Sequence, residues 1–127
     1  MRILRSKSFT RFARKAGLDD ETLSKAIENA ERGLIDAKLG GGVIKLRVAR
    51  RGEGKSGGFR TIILYKAQAL AFFVHGFAKK DLDNIEDREL VALKLLASQM
   101  LSYDDQDIAK AIASGALIEV TRHEKKD

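Results

Sequence analysis

The sequence predicts an α+β fold in which N-terminal helices pack on a twisted antiparallel β-sheet, with further helices C-terminal to it. Three observations carry this. Residues 9–38 place apolar side chains at helical spacing, residues 44–77 contain three strand-like runs, and residues 86–114 return to helical spacing. The 127 residues suffice for one core, and no proline-rich linker, repeat or low-complexity run divides them. A single domain over residues 1–127 is therefore expected.

The first residues predict an edge strand. Phe9, Phe12, Ala13 and Ala16 then mark a short helix ending at Gly17, with Arg11, Arg14 and Lys15 on its outer side. Asp19, Asp20 and Glu21 supply the acidic first turn of a second helix, and Leu23, Ile27, Ala30, Leu34 and Ala37 carry its apolar spacing to about Lys38. Gly40, Gly41 and Gly42 are expected to stop it. Ile44, Leu46 and Val48 alternate with Lys45, Arg47 and Ala49, the period of a strand with one buried face. Lys45 and Arg47 then point the same way. A turn from Arg51 to Gly58 leads into a strand from Phe59 to Tyr65, and Lys66 to Ala69 leads into another from Leu70 to Phe77. Three strands in series read as an antiparallel meander, and the third, apolar nearly throughout, is expected to be central and covered on both sides. Glu86 to Leu101, with Asn84 as cap, reads as an amphipathic helix covering the sheet through Leu90, Leu93, Ala97 and Met100. Asp104 to Ser114 reads as a last helix closed by Gly115, before a strand over Ala116 to Val120.

Composition narrows the function classes. The formal net charge is +6 and the isoelectric point is near 9.7, which favours a polyanionic partner. With no cysteine and two histidines, disulfides and thiolate zinc sites are excluded, and neither a metal centre nor a cofactor is expected. Asp104, Asp105 and Asp107 lack the glycine and distal glutamate of a calcium loop. No apolar run approaches the roughly 20 residues of a membrane span, and the basic first fifteen residues lack the apolar stretch of a signal peptide, so a cytoplasmic protein without a membrane role is expected.

The charge is concentrated. Lys45 to Arg60, KLRVARRGEGKSGGFR, carries six basic residues against one acid, a net +5. It joins the basic strand of Lys45 and Arg47 to a glycine-rich turn and then to Arg60 at the head of the next strand. Glycine lets backbone N–H groups approach an anion without a Cβ in the way, so the hairpin suits phosphate. Gly54-Lys55-Ser56 is not the end of a Walker A loop, because Ala49 stands where that motif needs glycine and a strand follows where it needs a helix.

These residues resemble a known family. Leu39-Gly40-Gly41-Gly42-Val43-Ile44-Lys45-Leu46-Arg47, then Gly54-Lys55-Ser56-Gly57-Gly58-Phe59-Arg60-Thr61, then Gly76-Phe77-Ala78-Lys79-Lys80 with Asn84-Ile85 before a helix, are similar to the RelE/HigB superfamily of toxin–antitoxin toxins. The Lys-Ser-Gly-Gly-aromatic-Arg run points to the HigB-like branch. The resemblance implies a small α+β toxin, silenced by a cognate antitoxin, that cuts messenger RNA in the ribosome without metal by moving the 2′-hydroxyl onto the adjacent phosphorus. It places Lys45, Arg47, Arg60 and Lys80 in the catalytic centre; Arg50, Arg51 and Lys55 of the charged hairpin, with Lys79, are expected as further phosphate contacts. Glu86 stands near where some RelE-branch members carry a tyrosine.

The chemistry requires a group to take the 2′-proton, cations for charge growing on phosphorus, and an acid for the leaving oxygen. Arg60 suits the charge role, since a guanidinium stays protonated and can hold phosphate through two parallel hydrogen bonds. A lysine suits the base role only if the crowding of Lys45, Arg47, Lys55, Arg60 and Lys80 favours its neutral form. His75, within an apolar strand, is expected to be a core histidine, and Tyr65 a buried sheet residue rather than a proton shuttle.

Overall fold

A computed structural model describes residues 1–50, 54–78 and 85–121. In chain order the elements are β1 (Arg2–Ser6), α1 (Lys7–Ala16), α2 (Asp20–Glu31), β2 (Ala37–Gly40), β3 (Val43–Arg50), β4 (Gly54–Lys66), β5 (Leu70–Ala78), α3 (Asp87–Met100), α4 (Asp105–Ala113) and β6 (Leu117–Glu119). Among the described residues the strands form one sheet in the order β2-β3-β4-β5-β1-β6. The α+β class and the β3-β4-β5 meander are as the sequence predicts. The sheet is mixed, however, because β1 runs parallel to β5 and antiparallel to β6. β1 therefore lies inside the sheet and not at its edge. Its Ile3 and Leu4 are fully buried on opposite faces, which a solvated edge strand would not provide.

Local chemistry fixes the helix starts. The Ser6 hydroxyl accepts from the Phe9 N–H at 3.1 Å and the Asp19 carboxylate from the Thr22 N–H at 2.9 Å, each satisfying a backbone donor that the helix itself leaves unpaired. Asp104 and Asp107 close a reciprocal capping box on α4, and the Asp107 backbone N–H holds the Asp104 carboxyl below the usual carboxylate range. α3 starts at Glu86 with no side-chain cap bond, and the expected cap, Asn84, lies outside the described residues.

The second helix is shorter than its apolar spacing suggests. It ends at Glu31, Gly33 takes a φ of 89°, and Leu34 is exposed, after which residues 37–40 pair with β3. The continuing apolar period at Leu34 and Ala37 belongs to a turn and a strand. The three glycines at 40–42 accordingly turn a hairpin and do not end a helix. At Gly42 a Cβ would lie 2.5 Å from Leu101 Cδ1, so the end of α3 rests on that turn.

Two helical layers enclose the sheet. α1 and α2 bury one face, where Phe9, Leu23 and Ile27 meet Ile44, Leu46, Ile63 and Phe73. α3 and α4 cover the other, where Ala97, Met100 and Ile108 meet Leu4, Val43, Ile62, Leu64 and Phe72. Leu70 to Phe73 of β5 are buried between the layers, as the apolar run predicts. Asp20 ties the first layer to the sheet by accepting from the Arg5 guanidinium and, at 3.0 Å, from the Thr121 N–H.

Candidate functional site

The site follows from strand alternation and register. On β3 the even residues Ile44, Leu46 and Val48 face α1 and α2, so Val43, Lys45 and Arg47 face the α3 side. β4 pairs Val43 with Leu64, Lys45 with Ile62 and Arg47 with Arg60. Directly paired residues project to the same face, which brings Lys45, Arg47 and Arg60 together on adjacent strands. Three of the cations expected from the sequence, Lys45, Arg47 and Arg60, thus share one side of the sheet.

Packing divides that side in two. Around Val43, Leu64 and Phe72 it is covered by Ala97 and Met100 of α3. In the next two rows charge enters: Lys45 is half-buried beside buried Ile62, Arg47 is exposed, and Arg60 lies beneath with 7% of its surface exposed. Arg47 and Arg60 face each other across the ladder, and like charges so placed repel. Asp36 relieves part of this, its carboxylate lying 3.7 Å from Arg47 Nε. A guanidinium at the depth of Arg60 has also lost most of its water, so its attraction for a phosphate oxygen is less screened than at the surface.

β5 completes the face. Its register to β4 shifts between Ile62 and Ile63, so that Ile62 pairs with His75 while Ile63 pairs with Phe73, and Val74 is the extra residue. His75 then stands in the row of Lys45 and Ile62, and Phe77 in the row of Arg47 and Arg60. His75 is exposed, 5.7 Å from the Phe77 ring between centroids. The core-histidine expectation is therefore wrong, and its failure has a cause. Strict alternation puts residue 75 on the side of Ala71 and Phe73, and the bulge turns it to the other.

Tyr65 lies away from the cluster and is half-buried, less enclosed than the buried sheet residue the sequence predicts. It packs on the α1 and α2 side and donates its hydroxyl to Glu31, and burial together with that carboxylate raises its pKa well above the ordinary phenol value. β4 starts at Gly54, so the glycine-rich run begins a strand earlier than the expected turn allows, and the uninterrupted strand to Lys66 agrees with rejection of a Walker A loop. Arg50 ends β3 and Lys55 stands near the start of β4. Arg51, Lys79 and Lys80 lie outside the described residues. Concavities of about 790 Å³, by Met1, Lys25 and Arg32, and about 470 Å³, by Tyr65, Gly42 and Gln68, are lined by other residues than this cluster.

A family model described as the RelE toxin of the RelE / RelB toxin-antitoxin system matches residues 1–120. No curated protein matches the chain.

Proposed function

The chain belongs to the RelE family of toxin–antitoxin toxins, and on that premise we propose that it is a ribosome-dependent messenger-RNA endonuclease held silent in the cytoplasm by a cognate antitoxin. The observation that supports this most is the juxtaposition of Lys45, Arg47 and Arg60 on one face of β3 and β4. Within the superfamily the Gly-Lys-Ser-Gly-Gly-Phe-Arg run, residues 54–60, favours the HigB-like branch.

The reaction read from these residues is metal-independent attack of a 2′-hydroxyl on its own phosphodiester. Arg60 neutralises the charge that grows on the non-bridging oxygens, with Arg47 opposite it adding a second guanidinium. Lys45, on the same face one row away, is the group that accepts the 2′-proton, and Lys80 adds positive charge. Arg50, Arg51, Lys55 and Lys79 contact flanking phosphates, which position the strand without reading its sequence. If four basic residues meet single-stranded phosphates, the log–log salt slope of binding is about −3.

A pulse of expression of wild type and of Arg60→Ala, with transcript 5′ ends mapped and DNA gyrase monitored, tests the proposal. In-frame cuts from the wild type alone are expected. Intact transcripts with gyrase-dependent DNA damage would instead establish the rival reading, a ParE-like toxin of the same fold. RNA binding with neither outcome would mark a non-catalytic module.

A further inference from the structure

We propose that His75 is the acid that protonates the departing 5′-oxygen. The inference rests on the endonuclease reading and completes it, since the basic cluster supplies cations and a base but no evident proton donor for the leaving group. Three features carry it.

The first is the bulge. In a regular β5, residue 75 would be driven into the layer under α1; one extra residue at Val74 turns it onto the cationic face. Gly76 then points the other way, where a Cβ would lie 2.3 Å from the Phe12 ring of α1, so the altered phase is locked by packing. Bulges beside active sites commonly re-aim one side chain, and a lone polar residue in an otherwise apolar strand is what this one re-aims.

The second is the row geometry. Lys45, Ile62 and His75 lie in line across β3, β4 and β5. Two strand spacings put the backbones of Lys45 and His75 about 10 Å apart. Arg60 sits on the middle strand, one row along. In-line displacement needs the base and the acid on opposite sides of phosphorus, with the charge stabiliser between them, and these three strands provide that order. The third is access: His75 is exposed while the flanking Phe77 ring is half-buried and limits where the imidazole can go.

The 2′-oxygen forms a bond to phosphorus as its proton passes to the Lys45 amine, and the P–O5′ bond breaks with its electron pair staying on the 5′-oxygen. The His75 imidazolium gives its proton to that oxygen. The products are a 2′,3′-cyclic phosphate and a 5′-hydroxyl, with Lys45 protonated and His75 neutral. Imidazole exchanges protons near neutral pH, which the neighbouring guanidinium groups do not.

The test uses ribosomes programmed with a message that carries, at a mapped cleavage point, either the ordinary linkage or one with sulfur replacing the 5′-bridging oxygen. A thiolate leaves without protonation, so it removes the need for an acid. His75→Ala and His75→Gln are expected to cut the ordinary linkage about 100-fold or more slowly than wild type and the sulfur linkage within a few-fold of it. Equal losses on both linkages, or no loss on the ordinary one, would overturn the assignment. Wild type that cuts neither would overturn the endonuclease reading itself.

Discussion

The two faces of the central sheet are built from the same strands and do different work. Under α1 and α2 the face is largely apolar, with Thr61 and the Arg5–Asp20 pair as polar exceptions: the Phe9 ring lies tilted against Phe73 with centroids 5.0 Å apart, and Phe12 meets Phe59 edge-on at 5.5 Å. Under α3 the face begins the same way, with Val43, Leu64 and Phe72 buried, and then changes within one strand to Lys45 and Arg47. Seen from β3, one set of alternate positions only holds the fold together. The other holds it at one end and presents charge at the other. A sequence satisfies local rules nearly everywhere and departs from them where function demands it, and here the departure is confined to half of one face.

That contrast predicts separable losses. Phe73→Ala should remove about 3–5 kcal/mol of stability by opening a cavity beneath α1, read as a lowered denaturation midpoint. Arg60→Ala should cost about 100- to 1,000-fold in cleavage while shifting that midpoint far less. A variant of Arg60 that unfolds the protein as readily as one of Phe73 would break the distinction between the faces.

Arg47→Ala should have a smaller effect than Arg60→Ala, because Arg47 is exposed and shares its charge with Asp36. A loss of a few-fold in RNA binding, with a salt slope reduced by about 0.7 as one single-strand phosphate contact disappears, is the expected result. Asp36→Asn should shift affinity the other way. Both are read by titrating labelled RNA at several salt concentrations.

The smallest effect lies on the structural face and appears only in alkali. Tyr65 has its pKa raised by burial and by Glu31, so its contribution to stability is fully present below the ordinary phenol pKa of about 10 and is lost as pH rises through the higher folded value. Tyr65→Phe should therefore leave cleavage intact near neutral pH and remove the most alkaline phase of the tyrosinate absorbance titration.

Much of this was legible in the sequence, for reasons that can be named. The alternation over residues 43–48 is a local property, and it correctly set Lys45 and Arg47 on one side. The pairing of Arg47 with Arg60 was not legible, because a one-residue slip would have sent Arg60 to the other face. The parallel partnership of β1 with β5 joins segments some 68 residues apart in register, from Arg2 to Leu70, and leaves no local trace. Gly33 was a stop signal hidden by the chance continuation of apolar spacing. His75 was misassigned because a bulge inverts the phase that periodicity assumes; the only local sign was a histidine where every neighbour from Leu70 to Val74 is apolar.

The most direct test is to map where RNA touches the protein, using amide and side-chain NMR shifts on adding a message fragment whose 2′-hydroxyl is replaced by hydrogen so that it cannot be cut. Shifts are expected to gather at Lys45, Arg47, Arg60, His75 and Phe77 and to leave Phe9, Leu23 and Ile27 unmoved. Shifts centred on α1 and α2, with the basic rows of β3 and β4 silent, would contradict it.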